Sequence, residues 1–297
     1  MRLLFALLAA LCACAPASAE PGPRNPCVLT TRWNPLPPYW LAREGQPPTG
    51  YLAELLTELG RRTGCEVRFR EMNWARGVAE MRAGRIDLIA GAVQSPERDR
   101  FAYFTRAINA TRNVLVLRAE LAATVDVDDL SALAATELRI GIQAGANYGP
   151  EHVALSRDPA FAARLRPILE PKIGWQMLAS DRLDGFFIDE LSALSYQADM
   201  SGRVPLKQVF IFSDEPSRVM VGRHLGAAKA GAVDRAIDAM VADGWLLRLR
   251  ERYVPCPTDP ETLGCAAPAS TPSASETRPS MPSSARAEGT SDSTNAR

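Results

Sequence analysis

The sequence has no excess of charge of either sign, because 34 Lys and Arg residues balance 34 Asp and Glu residues over 297 positions. A protein that binds nucleic acid or an anionic membrane surface through its charge needs a basic surplus, which is missing here. Hydrophobic residues make up 46% of the chain, enough for one large or two smaller domains. We therefore expect no nucleic-acid partner and look for a partner recognised at a specific site.

Motifs for metal binding and for hydrolysis are also missing. The chain contains no C-x-x-C pair and no cluster of Cys with His, so the sequence predicts neither a metal site nor a cofactor. Only two histidines are present, His152 and His224, and neither stands beside a nucleophile motif. No residue is therefore proposed as catalytic, and a binding protein is favoured over an enzyme.

Long hydrophobic runs are absent beyond the first residues. Leu3–Ala13 is apolar but too short to span a bilayer, and the small residues at 17–19, Ala-Ser-Ala, are typical of a cleavage site. Residues 1–19 are therefore predicted to be a signal peptide, which sends a mature chain without a membrane span to the periplasm. Cys14 lies in a stretch that resembles a lipobox, so lipidation at this cysteine is an alternative.

The cysteines that follow the predicted signal peptide are expected to form disulfides, because export places them in an oxidising compartment. Cys27 and Cys65 each begin a predicted strand of one strand–helix–strand unit, which places both at the same end of a parallel sheet. We therefore expect Cys27 to pair with Cys65. Cys256 and Cys265 are then left to close a short loop near the C-terminus.

A buried strand followed by a charged turn occupies residues 84–105. The apolar run Ile86–Ile89 predicts a covered strand of a parallel sheet, and Ser95 followed by Pro96 is typical of a helix start. Arg98 would then stand in the first helical turn beyond the carboxyl end of the strand, where ligands bind in open α/β sheets. From spacing alone, Arg98 is either an anion-binding residue or a solvated surface arginine.

The Arg-apolar-Asp pattern of this segment occurs a second time, at residues 181–189, and each copy joins an apolar helix to a buried strand. Two similar lobes are implied, and a break in composition over residues 121–131 marks the passage between them. The second copy ends at Asp189, just past a strand. Its carboxylate either faces a ligand or caps the helix that follows.

Residues 84–105, with their Ser-Pro-Glu-Arg turn, resemble the signature of the family 3 periplasmic solute-binding proteins, which include binding proteins for histidine and glutamine. The resemblance covers roughly Cys27 to Val254. It implies that Arg98 binds the α-carboxylate of the ligand and that Asp189 receives its α-amino group.

Aromatic and small residues complete the site that the resemblance implies. Trp33 and Tyr39 stand on a proline-rich loop after the first strand, and Trp74 stands at a loop-to-helix junction, so each either packs on the ligand or covers the core. The family's hydroxyl residues are largely replaced by small or apolar ones, which leaves backbone N–H groups for the carboxylate. The stretches concerned contribute Gly91, Ala92, Val93, Ala146 and Asn147.

The expected fold class is α/β, a two-lobed periplasmic-binding-protein-like fold of type II in which each lobe is a sheet flanked by helices and two hinge strands join the lobes. The first lobe is expected to be discontinuous, and a disordered tail rich in Pro, Ser and Ala follows it. The expected boundaries are 27–111 and 214–256 for lobe 1, 112–213 for lobe 2 and 257–297 for the tail.

The function implied by the resemblance is capture of a small polar ligand, most simply an amino acid, by a periplasmic monomer that hands it to the permease of an ABC importer. Two alternatives stay open. Cyclohexadienyl dehydratases resemble the same fold and need a carboxylate in the cleft, for which Glu97, Asp189 and Glu190 are available. An orphan receptor subunit would instead present its ligand to a sensor kinase.

Overall fold

A computed structural model describes residues 27–200, 205–254 and 256. The strands are β1 Cys27–Trp33, β2 Cys65–Glu71, β3 Leu88–Val93, β4 Ala102–Arg118, β5 Ile140–Gln143, β6 Leu165–Ile168, β7 Gly185–Asp189 and β8 Leu206–Gly222. The helices are α1 Tyr51–Thr63, α2 Trp74–Arg82, α3 Ala119–Ala122, α4 Leu130–Ala134, α5 Pro150–Leu155, α6 Pro159–Ala162, α7 Pro171–Ala179, α8 Glu190–Met200, α9 Gly226–Ala242 and α10 Trp245–Tyr253. The strand order is β2-β1-β3-β8-β4-β7-β5-β6.

The first lobe contains a parallel unit in which β1 pairs with both β2 and β3. Helix α1 crosses between β1 and β2, and its leucines at the helical spacing are all buried in the main core. Gly64 ends this helix with a φ of 67°, a left-handed conformation that glycine adopts without strain. The spacing of leucines therefore predicted both the helix and the face that it buries.

Strands β4 and β8, each of 17 residues, run antiparallel past each other through both lobes. Their pairing extends from Ala102 opposite Gly222 to Arg118 opposite Leu206. In the first lobe β8 also pairs with β3, and in the second lobe β4 also pairs with β7. These two strands join the lobes, so the predicted two-lobed α/β fold is confirmed. The residue boundaries at 111/112 and 213/214 stay a prediction, because both strands pass these positions without ending.

The second lobe adds a short parallel unit, in which β5 pairs with β6 and β7. After β8 the chain returns to the first lobe, because α9 and α10 bury their apolar faces in the same core as α1. The residues concerned are Val233, Ile237, Met240, Leu246 and Leu249. The first lobe is therefore built from two separate parts of the chain.

A disulfide joins Cys27 and Cys65, as predicted. The two residues stand directly opposite each other at the start of β1 and β2, with their Cα atoms 4.5 Å apart. Cys256 is also disulfide-bonded, but its expected partner, Cys265, lies outside the described residues. The pairing of Cys256 with Cys265 stays a prediction.

Two local predictions were wrong in detail. The strand expected to begin at Ile86 begins at Leu88, because the Asp87 carboxylate, and not a backbone carbonyl, accepts the N–H and the hydroxyl of Thr30 in β1. The helix expected after Ser95 is a single 3₁₀ turn over Arg98–Arg100, although the Ser95 hydroxyl does accept a bond from the Arg98 N–H at 3.3 Å. Arg98 is nevertheless held beyond the end of β3, as the spacing predicted.

The predicted signal peptide, the lipobox cysteine Cys14 and the tail at 257–297 all lie outside the described residues. Among the helices that the structure does describe, none combines the length and the apolar character needed to cross a bilayer.

Candidate ligand-binding cleft

A cleft that is partly open to solvent lies between the two lobes. The first lobe contributes the ends of β1 and β3 and the start of α2, and the second contributes the ends of β5 and β7. These are the carboxyl ends of parallel strands, where open α/β sheets place their ligands.

Arg98 borders this cleft and is only 5% exposed. Its guanidinium donates from Nη1 to the Val93 carbonyl at 2.6 Å and from Nη2 to the Gly145 carbonyl at 3.0 Å. Burial lowers the pKa of Arg98 to about 10, so the side chain remains charged at neutral pH. Arg98 is therefore a buried cation in the cleft, and the interpretation as a solvated surface arginine was wrong.

The Gly145 carbonyl is a shared acceptor on the second lobe. It accepts from Arg98 and also from the indole N–H of Trp74 at 3.0 Å, and both donors belong to the first lobe. Gly145 has a φ of 75°, where a side chain would be strained. Two hydrogen bonds therefore hold the lobes together across the cleft.

Asp189 ends β7 on the second lobe and faces the cleft. Its Oδ1 accepts the Ser192 N–H at 2.9 Å, so the carboxylate also caps α8. The Tyr39 hydroxyl lies near the same carboxylate and interacts with it across the cleft. Burial raises the pKa of Asp189 above its usual value, whereas these interactions oppose that rise. Asp189 therefore caps a helix and also lines the cleft, and its binding of a ligand stays a prediction.

Tyr39 is anchored by a buried network behind the cleft. Asn109 donates from Nδ2 to the Tyr39 hydroxyl at 3.4 Å, and the buried Arg250 of α10 donates to Asn109 Oδ1. The C-terminal helix is thus connected through Asn109 and Tyr39 to the Asp189 carboxylate.

Most of the residues expected in the site line the cleft: Tyr39, Trp74, Gly91, Val93, Arg98, Ala146, Asn147 and Asp189. Trp33 and Ala92 are the exceptions, although both were expected there. Trp33 points into the main core of the first lobe, together with the leucines of α1. Ala92 is fully buried in the cluster that contains Met220 and Trp74, because a register shift between Ala90 and Ala92 changes which side chains of β3 face the cleft.

Several other lining residues were not predicted. Polar ones among them are Arg32, Thr111, Asn113, Gln143 and Ser217. A buried parallel strand offers no polar alternation from which the cleft-facing positions could be read. One signal was nevertheless present, because Arg32 is a charged residue near the end of an otherwise covered strand.

The carboxylates considered for catalysis occupy different places. Glu97 is exposed and forms an ion pair with Arg82 at 2.5 Å, and Glu190 forms an ion pair with Arg112 at 2.6 Å. Of the described acidic residues, Asp189 alone lines the cleft. No three His, Cys, Asp or Glu side chains of the described part of the chain come together as a metal site requires.

Comparison with known proteins identifies relatives over most of the chain. The family model described as “Bacterial extracellular solute-binding proteins, family 3” matches residues 33–255. The L-cystine-binding protein TcyA of Bacillus subtilis (strain 168) is 24% identical over 206 residues, which cover 69% of this chain and 72% of that protein. The arginine-binding extracellular protein ArtP of the same organism is 23% identical over 155 residues, which cover 52% of this chain and 58% of that protein.

Solved structures resemble the whole two-lobed arrangement. An ancestral arginine-binding protein bound to arginine gives a TM-score of 0.67 at 21% identity and covers 76% of this chain and 97% of that chain. A histidine kinase sensor domain with similarity to periplasmic binding proteins gives a TM-score of 0.66 at 17% identity, with 77% and 96% covered. At such identities the likeness shows the fold alone.

Proposed function

The chain belongs to family 3 of the bacterial extracellular solute-binding proteins, and we propose that it captures an amino acid between its lobes, as a periplasmic monomer, for an ABC importer. The observation that carries this proposal is the pair of opposite charges on opposing lobes, the buried Arg98 and the half-buried Asp189, which border one cleft. The curated relatives named above bind cystine and arginine, which supports an amino acid as the ligand class.

In this proposal the α-carboxylate pairs with Arg98 and the α-amino group donates to Asp189. A guanidinium and a carboxylate bind such groups through charge-assisted hydrogen bonds, which are strong where water is excluded. The two partners reach the same small molecule only when the lobes close. Binding therefore favours the closed state over the open one.

The small residues around Arg98 suit this role. Gly91 and Ala146 bring backbone close to the cleft and carry no hydroxyl. Backbone N–H groups then donate to the ligand carboxylate in place of the hydroxyl groups that other members of the family have at these positions. The Trp74 ring, whose centroid is 5.4 Å from the Arg98 guanidinium carbon, adds an apolar wall and a cation–π contact.

A thermal-shift screen of the purified mature chain tests the proposal. Amino acids, polyamines and small dicarboxylates are compared, because a ligand that binds only the folded state raises the melting temperature. The proposal predicts that at least one amino acid raises the melting temperature and that polyamines do not. A rise with polyamines alone, or with no amino acid at all, would contradict it.

Uptake and turnover measurements separate the proposal from its alternatives. Cells that lack the chain should lose uptake of the bound amino acid if it serves an importer, whereas a receptor subunit would leave uptake unchanged. Incubation with prephenate or arogenate should yield no product. Turnover of either compound would instead assign the chain an enzymatic role, with Asp189 as the available carboxylate.

A further inference from the structure

A second buried arginine borders the cleft and lacks an anionic partner. Arg32, near the end of β1, is 3% exposed and lines the same cavity as Arg98. Its guanidinium makes one hydrogen bond within the described part of the chain, from Nη2 to Asn34 Oδ1, and Nε has no partner there. None of the described carboxylates forms an ion pair with it. Burial lowers the pKa of Arg32 to about 9, so the charge persists at neutral pH.

The fold makes room for this arginine. Gly77 lies within α2, and a Cβ added there would come 2.7 Å from the Cγ and Cδ of Arg32. A glycine inside a helix costs about 1 kcal/mol relative to alanine, so its presence is explained by the side chain that it admits. The Trp74 ring flanks both cations, since its centroid lies 5.4 Å from the guanidinium carbon of Arg32 and 5.4 Å from that of Arg98. Arg32 is thus held in place beside the cleft.

The charges that line the cleft do not balance. Among the described lining residues, Arg32 and Arg98 are positive and Asp189 is negative, and there are no other ionised side chains. A zwitterionic amino acid with a neutral side chain would compensate Arg98 and Asp189 and leave Arg32 unpaired. A buried charge without a partner is costly, so the complementary ligand carries a second negative group.

We propose that Arg32 determines the specificity of the cleft and that the ligand is an acidic amino acid, whose side-chain carboxylate pairs with the Arg32 guanidinium. This inference rests on the proposed function, because it assumes that Arg98 and Asp189 take the α-carboxylate and the α-amino group. It adds a third contact, made by the side chain of the ligand. An acid is then distinguished from its amide, which has nearly the same size and shape but no charge.

Calorimetric titration tests the inference with L-aspartate, L-glutamate, L-asparagine, L-glutamine and L-arginine as probes. In the unaltered protein, at least one acid should bind tenfold or more tightly than its own amide. Arg32→Gln should weaken binding of that acid at least twentyfold and binding of the amide less than threefold. Arg32→Lys, which keeps the charge, should retain part of the preference.

The matched control is Arg70→Gln. Arg70 stands opposite Arg32 on the neighbouring strand β2 but is exposed, so its replacement should leave both affinities unchanged. Circular dichroism verifies folding of each variant, and the comparison of acid with amide in the unaltered protein needs no variant at all.

The outcomes separate this inference from the function on which it rests. Equal affinity for acid and amide, tighter binding of L-arginine, or equal weakening of acid and amide by Arg32→Gln would overturn the inference and leave amino-acid binding intact. Absence of binding by all five probes and by the remaining amino acids would overturn both.

Discussion

The two lobes contribute opposite chemistry to one cleft. The first lobe supplies the cations Arg32 and Arg98, together with the Trp74 ring that flanks them. The second lobe supplies acceptors, namely the Asp189 carboxylate and the Gly145 carbonyl. Neither lobe therefore presents a complete site, and a ligand with charges of both signs is complementary only to the two lobes together.

The lobes also differ in what stabilises them. The first lobe has a disulfide between Cys27 and Cys65 at the end of β1 opposite to the cleft. The second lobe buries His152 in an aromatic cluster, where neither ring nitrogen has a partner among the described residues. Each lobe therefore contains residues that can be substituted to alter its stability without altering the residues that line the cleft.

The largest effect on ligand affinity is expected from two single substitutions, each of which removes one charged side chain from the cleft. Arg98→Ala leaves a ligand carboxylate buried and unpaired, which should cost roughly 2–5 kcal/mol of binding free energy. Affinity should fall by at least about twentyfold. Asp189→Ala should do comparable damage if the ligand carries an amine. Calorimetry with the bound amino acid measures both.

Two controls match these variants. Arg100→Ala removes an exposed arginine from the same 3₁₀ turn as Arg98. Asp129→Ala removes a carboxylate that caps α4 through the Ala132 N–H, as Asp189 caps α8 through the Ser192 N–H, but lies on the surface. Loss of affinity at Arg98 but not at Asp189 would indicate a simple carboxylate as ligand, and near-native affinity in both would mean that the ligand lies elsewhere.

A second effect separates stability from binding in the first lobe. Replacing Cys27 and Cys65 by alanine opens a loop with a sequence separation of 38, which should lower the free energy of unfolding by roughly 2–4 kcal/mol. Ligand affinity should change little, because the disulfide is at the far end of β1 from the cleft. Urea denaturation and calorimetry on the same variant test this, and a large loss of affinity without loss of stability would contradict it.

A third effect concerns the hydrogen bond between the lobes. Trp74→Phe removes the donor to the Gly145 carbonyl, which should cost roughly 0.5–1.5 kcal/mol and weaken binding about two- to tenfold. Trp175→Phe is the control, since the Trp175 N–H in the second lobe has no acceptor among the described residues. If both variants bound the ligand equally well, the bond to Gly145 would have no part in closure.

The smallest effect should appear in the pH dependence of the stability of the second lobe. Burial lowers the pKa of His152, so below about pH 6.5 the unfolded chain holds a proton that the folded chain does not. Stability is then fully present above this pH and falls as the pH is lowered toward the folded-state pKa. His152→Phe should flatten this decline. Urea denaturation at several pH values checks it, and an unchanged decline in the variant would refute the assignment.

Local patterns in the sequence were sufficient for part of the site. Arg98 and Asp189 each follow a buried strand in a repeated motif, and the geometry of parallel sheets brings such positions to one edge. The periodic leucines of α1 and the starts of β1 and β2 likewise predicted a buried helix and the disulfide.

Other parts depended on contacts between distant segments. Thr31, Arg32 and Trp33 are consecutive and all buried, so their pattern does not say which of them faces the cleft. Packing against α2 determines which side chain faces the cleft. Gly77 of this helix leaves space for the Arg32 side chain, whereas Trp33 packs in the main core. The register shift that turns Ala92 away is equally invisible in the order of residues along β3.

In the proposed mode of binding, one small molecule pairs with charges on both lobes. The most direct test is calorimetry of the unaltered protein with three related compounds: the amino acid that it binds, the acid lacking the α-amino group, and the amine lacking the α-carboxylate. We expect the amino acid to bind at least about twentyfold tighter than either truncated compound, since each truncation leaves Asp189 or Arg98 without an oppositely charged partner. Equal affinity for the amino acid and one truncated compound would contradict this mode of binding.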